Sequence, residues 1–208
     1  QRLEKTKRSM EEKGIEVLII SDPANMNYIT GFDGWSFYVH QCVIVMIDQD
    51  EPLWIGRGQD SNAARLTSYL GEKSIYPYTD DYVQSLIKHP MDFVADILKE
   101  KGYDKNTVGT EMDTYYYKAK CQESLKSNLP NCKFIDATSL VNWVKLIKSD
   151  MEIDYIKKAA VIAEKTMDAA FKSIHVGTRQ NEAAANVYHA QIYGTEEYGG
   201  DYTSIVPL

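Results

Sequence analysis

The sequence predicts an α/β fold in which helices cover a mixed sheet. Short apolar runs of strand length alternate along the chain with segments of helical periodicity. Two of these runs, Val39–Ile47 and Leu53–Ile55, flank the turn-forming segment 48–52 and indicate an early hairpin. A strong helix start near Ser149 then suggests a second, separate arrangement of helices.

The first elements follow from local signals. Leu3–Lys13 has the pattern of an amphipathic helix that ends near Gly14. Glu16–Ser21 contains a continuous apolar run, which is typical of a strand buried on both faces. The pair Asp22-Pro23 fits a helix cap followed by a first-turn proline, and this short helix is expected to end at Gly31.

The middle of the chain continues the alternation of helices and strands. After the hairpin, the predicted elements are helix Gln59–Leu70, strand Ser74–Tyr78, helix Tyr82–Lys99 interrupted or restarted by Pro90, strand Val108–Glu111, helix Thr114–Ser127, strand Lys133–Ile135 and helix Ser139–Ile147.

Ser149 and Glu152 form a capping-box pattern at the start of a long helix. Gly177 and Thr178 are expected to end this helix and begin another. The charged stretch before the cap places the domain boundary between residues 1–144 and 145–208. One predicted apolar stripe follows the cap and comprises Ile153, Ile156, Ala160, Ala163, Met167, Ala170 and Ile174.

The composition is that of a globular protein without a nucleic-acid surface or a membrane span. The net charge is −7 and 44% of the residues are hydrophobic. No stretch approaches the ~20 apolar residues of a membrane helix, and no signal-peptide pattern opens the chain. Cys42, Cys121 and Cys132 lack CxxC spacing, which favours free thiols and a reducing cytoplasm.

The motifs of a self-contained catalytic site are missing from the sequence. The four histidines have no metal-ligand spacing, and we expect them to be surface or core residues. Gly56–Asp60 is rich in glycine but matches neither phosphate-binding pattern, and no nucleophile elbow is present. We therefore predict no catalytic and no metal-binding residue in this sequence.

One loop has the composition of a binding feature. Gly31–Tyr38 places four aromatic residues and two glycines between a helix and a strand. In one interpretation, Phe32 and Phe37 are core residues that Trp35 covers. In the other, Trp35, Phe37 and Tyr38 belong to an exposed contact loop, with Trp35 and Tyr38 the main contact residues.

Four segments resemble the creatinase, prolidase and aminopeptidase P family of pita-bread metallohydrolases. Ser21–Gly31 is similar to the family's S-x-x-N-x-x-Y-L-T-G segment, and Val108–Asp113 to its G-x-E strand. Leu146–Ile153 resembles its R-x-x-K-s-x-x-E-I junction, with Lys145 where arginine is more usual. Gly177–Glu182 resembles its G-x-t-E-x-e turn. The aromatic loop and residues 199–208 look closest to the ectoine-hydrolase-like and Xaa-Pro dipeptidase branch.

This resemblance implies a ribonuclease-H-like N-terminal domain followed by the first helices of a truncated pita-bread domain. It also implies two divalent metal ions (Mn, Zn or Co), held in the family by two Asp, one His and two Glu that lie later than residue 208. A homodimer is implied, in which the loop of Trp35, Phe37 and Tyr38 limits access of a small peptide or zwitterionic amide to the partner's active site. The 208-residue chain alone is expected to be inactive.

A second class of function remains open, namely a non-catalytic family relative whose α/β domain binds a protein partner, as in some histone chaperones. The charge of −7 is compatible with both classes. We further expect Ile205, Val206 and Leu208 to form a strand end that is poorly ordered alone or held by partner contacts.

Overall fold

The computed structural model describes residues 1–199, and the chain divides into two compact units, Gln1–Ile147 and Lys148–Leu208. The strand end predicted at Ile205, Val206 and Leu208 lies outside the described residues.

The first unit is built around a six-stranded sheet in the order β4-β3-β2-β1-β5-β6, so that β4 and β6 are its edges. Strand β2 runs antiparallel to β1 and β3, and the other neighbouring pairs are parallel. The predicted α/β class, the mixed sheet and the early hairpin are therefore confirmed. The strands are β1 Val17–Ile20, β2 Cys42–Met46, β3 Leu53–Arg57, β4 Ile75–Tyr78, β5 Thr107–Thr110 and β6 Lys133–Asp136.

Helices cover both faces of this sheet. Val17 and Ile19 of β1 belong to the core formed with α4 and α5, and Leu18 and Ile20 belong to the core formed with α1, α2, α3 and α6. Because both faces are buried, every residue of β1 is apolar. The helices of this unit are α1 Arg2–Glu12, α2 Pro23–Thr30, α3 Ser61–Thr67, α4 Pro90–Glu100, α5 Ala119–Asn128 and α6 Leu140–Val144.

The local signals around α2 are confirmed. The Asp22 carboxylate accepts a hydrogen bond from the N–H of Asn25 at 3.0 Å, and Pro23 occupies the first turn. Gly31 ends the helix with φ 80°, a left-handed conformation that glycine adopts without a steric penalty.

Within the predicted helix Tyr82–Lys99, the restart at Pro90 is confirmed, because α4 begins there, but the helix predicted before Pro90 is absent. Proline disfavours helical angles in the residue before it, and His89 accordingly lies at φ −124° and ψ 143°. His89 instead caps α4: its Nδ1 accepts from the N–H of Met91 at 3.1 Å, and its own N–H donates to Asp92 at 2.7 Å.

Two further elements are shorter than predicted. Strand β2 covers Cys42–Met46 rather than Val39–Ile47, since its pairing with β1 begins only at Val43 opposite Ile20. Helix α5 begins at Ala119 rather than Thr114.

The second unit contains helices α7, Asp150–Ser173, and α8, Gln180–Tyr193. The predicted capping box is present at the start of α7: the hydroxyl of Ser149 accepts from the N–H of Glu152 at 3.3 Å, and the carboxylate accepts from the N–H of Ser149 at 2.7 Å. The predicted apolar stripe is not buried within the described residues, because Ile153 is 41% exposed and Met167 is 53% exposed.

Candidate functional site

A buried hydrogen-bond network joins the ends of the neighbouring parallel strands β1 and β5. Glu111, which follows β5, is 1% exposed. Its carboxylate accepts from the backbone N–H groups of Ser21 at 2.7 Å and Asp22 at 2.8 Å, and from Nδ2 of Asn25 at 2.7 Å. Burial raises the pKa of the Glu111 carboxyl, and these three donors oppose the rise.

Asn25 extends this network to the end of the first unit. Its Nδ2 also donates to Oδ1 of Asn142 at 2.7 Å, and its Oδ1 accepts from Nζ of Lys145 at 2.7 Å. Asn25 and Glu111 belong to two of the segments that carry the family resemblance, and Lys145 adjoins a third. Their contacts give these residues a structural role, which is to hold β1, β5 and the region after α6 in one arrangement.

The aromatic loop divides between core and surface. Phe32 is 1% exposed and packs against Trp54 with ring centroids 5.4 Å apart. Trp35, Phe37 and Tyr38 are 38%, 71% and 43% exposed. Phe32 is therefore a core residue and Phe37 is not, while the access function of the three exposed residues stays a prediction.

Contacts within the first unit fix the exposed part of the loop. The ring of Trp35 lies 5.8 Å from that of Phe37 and 6.4 Å from that of Tyr116. The guanidinium of Arg57 donates to the hydroxyl of Tyr38 at 3.2 Å. The same guanidinium donates two hydrogen bonds to the carboxylate of Asp80, at 2.8 and 2.9 Å, so the group that holds Tyr38 is itself oriented.

A small cavity lies beside this loop, at the carboxyl ends of β1 and β5. Its volume of about 10 Å³ accommodates no more than one water molecule. The cavity is therefore too small to enclose an organic substrate. Its lining includes Ser21, Met26, Tyr38, His40, Tyr116 and Lys118.

A cluster that sequence spacing did not reveal comprises His40, His89 and Cys121. One potential ligand atom from each lies within 4.8 Å of the others. The Sγ of Cys121 is 3.7 Å from Nδ1 of His40 and 3.8 Å from its Nε2, and the two imidazole centroids are 5.0 Å apart. The residues come from the segment before β2, the cap of α4 and the first turn of α5.

Burial sets the charge state of this cluster. It lowers the pKa of His40 to about 4, with further contributions from His89 and Lys118, and it also lowers the pKa of His89. It raises the pKa of the Cys121 thiol to about 11. At neutral pH the cluster therefore consists of two uncharged imidazoles and a protonated thiol.

The cluster does not fit the metal centre that the resemblance implies. That centre is rich in carboxylates, whereas the donors here are two imidazoles and one sulfur. Among the described residues, no other group of three His, Cys, Asp or Glu side chains has metal-binding proximity. We accordingly assign no step of a hydrolytic reaction to a metal held by these residues.

Comparison with known proteins defines the family. The model of the creatinase/prolidase N-terminal domain matches residues 2–147, and the chain belongs to this family. This confirms the resemblance inferred from the four segments.

Curated relatives match nearly the whole chain. An uncharacterized hydrolase/peptidase of Sinorhizobium fredii, y4tM, is 46% identical over 96% of this chain and 51% of its own length. The ectoine hydrolase of Halomonas elongata is 42% identical over 100% of this chain and 53% of its own length. The chain thus spans about half the length of the curated relatives it matches.

Solved structures share the fold. The prolidase from Pyrococcus furiosus superposes with a TM-score of 0.66 at 25% identity, covering 91% of this chain and 52% of the prolidase. The prolidase from Pyrococcus horikoshii superposes with a TM-score of 0.68 at 21% identity, covering 91% of this chain and 48% of the prolidase. Of the helices in residues 1–199, none combines the length and apolarity that a membrane crossing requires.

Proposed function

We propose that the chain is the N-terminal part of a metal-dependent hydrolase that cleaves a C–N bond in a small substrate. The 42% identity to ectoine hydrolase along the whole chain carries this proposal. It favours a compact zwitterionic amide over an Xaa-Pro peptide, because the Xaa-Pro dipeptidase of Pyrococcus furiosus is 28% identical.

Residues 145–208 would begin the catalytic domain, and residues outside this sequence would hold two divalent ions, Mn²⁺, Zn²⁺ or Co²⁺. The three cysteines are free thiols, which fits a reducing cytoplasm.

The loop of Trp35, Phe37 and Tyr38 would limit access to the active site of the partner subunit in a homodimer. Its support is structural: the three aromatic side chains are exposed, yet ring contacts and the Arg57–Tyr38 hydrogen bond hold them in place. Fixed aromatic side chains lose little conformational entropy on contact with a ligand, which suits them to substrate selection.

Steady-state kinetics of the full-length, metal-loaded protein test both the hydrolase activity and the access function of the loop. We expect hydrolysis of ectoine to exceed hydrolysis of an Xaa-Pro dipeptide. Trp35→Ala should raise KM for the preferred substrate by about tenfold, equivalent to about 1.4 kcal/mol. Tyr69→Ala is the matched control, because Tyr69 is also exposed, at 58%, but lies outside the loop.

Unchanged KM and substrate range in Trp35→Ala would remove the access function while leaving the hydrolase intact. If the full-length protein hydrolysed neither substrate with any of the three metals, the hydrolase proposal would be wrong. Capture of a protein partner that Trp35→Ala releases would then support the non-catalytic alternative.

A further inference from the structure

We propose that His40, His89 and Cys121 bind one transition-metal ion of the zinc class. The three residues meet although they are far apart in sequence, and neither the Glu111 network nor the aromatic loop requires them to do so. A donor set of two imidazoles and one thiolate selects Zn²⁺, Co²⁺ or Cu over Mg²⁺, Ca²⁺ and Mn²⁺, which prefer oxygen.

The separations between the donor atoms fit such an ion. In a tetrahedral zinc site, Zn–S and Zn–N bonds of about 2.3 and 2.0 Å place sulfur and nitrogen about 3.5 Å apart. Cys121 Sγ is 3.7 Å from Nδ1 of His40 and 3.8 Å from its Nε2, so the sulfur lies at ligand distance, and rotation of the imidazole aims one nitrogen lone pair at an ion shared with the sulfur. The third ligand atom lies within 4.8 Å of both and can approach by side-chain rotation. Both imidazoles are partly exposed, which leaves a route for the ion and a water as fourth ligand.

The environment of His40 favours coordination. An interaction with the backbone of Tyr116 raises the pKa of His40 and opposes part of the effect of burial. In metal sites, a backbone partner for the ring nitrogen that does not bind the ion fixes the tautomer and the ring orientation. Since both imidazoles are uncharged at neutral pH, only the thiol of Cys121 must lose a proton when the ion binds.

His89 links metal binding to the start of α4. Its Nδ1 accepts from the N–H of Met91, so the neutral ring carries its proton on Nε2. A metal at either nitrogen disrupts this arrangement, either by displacing the Met91 N–H or by moving the proton to Nδ1. The second half of the cap, from the His89 N–H to Asp92, remains. Metal binding should therefore change the environment of the Met91 amide.

Titration of the tag-free, metal-free protein with Co²⁺ tests the site. A Co²⁺–thiolate bond produces a charge-transfer absorption that histidine and carboxylate ligands do not. We expect this band to grow as Co²⁺ is added until one thiolate per chain is coordinated, to disappear when excess Zn²⁺ is added, and to be accompanied by a shift of the Met91 amide resonance. Cys121→Ser should abolish the band, whereas Cys132→Ser should retain it, because Cys132 contacts the carbonyl of Tyr103 instead.

His89→Asn separates metal binding from folding. Asparagine is an efficient helix cap, so α4 keeps its cap while the protein loses one imidazole. The Co²⁺ affinity of this variant should fall at least about tenfold without a comparable loss of stability. The proposal is overturned if no thiolate band appears at about 1 mM Co²⁺, if the band survives in Cys121→Ser, or if His89→Asn binds Co²⁺ as tightly as the wild type.

Discussion

The sheet unit and the C-terminal helices differ in how completely they bury their apolar side chains. In residues 1–147, both faces of the sheet are covered, and side chains such as Ile44 and Trp54 are fully buried. In α7, by contrast, Ile156 is 53% exposed and Phe171 is 73% exposed among the described residues. Helices α4 and α7 both have an apolar stripe, but among the described residues only the stripe of α4 is buried in a core.

This difference shows that periodicity and caps define a helix without defining its burial. The capping box at Ser149 acts within one turn, so α7 can form from local interactions. The strands of the first unit need distant partners, and their stability comes from the two cores on either side of the sheet.

The largest expected effect contrasts two isoleucines. Ile44→Ala should lower the free energy of unfolding by about 2–5 kcal/mol, because it leaves a cavity beneath α4 and α5. Ile156→Ala should cost about 0.5 kcal/mol or less, since its side chain is already half exposed. Urea unfolding monitored by circular dichroism measures both, and equal losses would mean that α7 has a core of its own.

A smaller loss of stability is expected when the hydrogen-bond network of Glu111 is disrupted. Glu111→Gln should lower the free energy of unfolding by about 1–3 kcal/mol, because the amide replaces an acceptor oxygen with a donor that faces one of three N–H groups. Glu123→Gln is the control and should cost about 0.5 kcal/mol or less, as the exposed Glu123–Lys120 pair is screened by water. A Glu111→Gln variant as stable as this control would show that the network does not stabilise the fold.

The difference in stability between the wild type and Glu111→Gln should depend on pH. The pKa of Glu111 is raised in the fold, so its stabilising contribution is complete below the ordinary value of 4.5 and is lost as pH rises through the raised value. Glutamine does not titrate. The stability advantage of wild type over Glu111→Gln should therefore shrink as pH increases through this window; growth of the advantage would contradict the raised pKa.

The smallest effect concerns the cap of α7. Ser149→Ala should destabilise the first turns of this helix by about 1 kcal/mol and leave the sheet unit unaffected. Hydrogen exchange resolved along the chain should show faster exchange near Glu152 and unchanged exchange in β1. Ser149→Asp, which preserves a capping oxygen, should restore protection; loss of protection in both units would indicate coupled unfolding instead.

Sequence reasoning succeeded where the determining contacts are local. Asp22-Pro23, Gly31 and Ser149 each act within a few residues, and their helices begin or end as predicted. The helix predicted before Pro90 is absent, although the restart at Pro90 is confirmed; the proline keeps His89 out of the helical region.

The residues of the candidate sites are far apart in the sequence, so their spacing does not predict that they are in contact. The resemblance drew attention to Asn25 and Glu111, but only the fold shows that they bond to each other. His40, His89 and Cys121 carry no motif, since sheet pairing and the packing of α5 bring them together. Phe32 and Phe37 have the same side chain in the same loop, yet Phe32 packs against Trp54 and is buried, whereas Phe37 is exposed.

The two edges of the sheet bear on how copies of this domain could associate. Edge strand β4 contains Pro77, which has no N–H to donate, and edge strand β6 carries the exposed charges of Lys133 and Asp136. Both features oppose the addition of a strand from a second chain. Self-association through this domain would thus rely on side-chain surfaces, and it would leave the sheet at six strands rather than continue it from one subunit into the next.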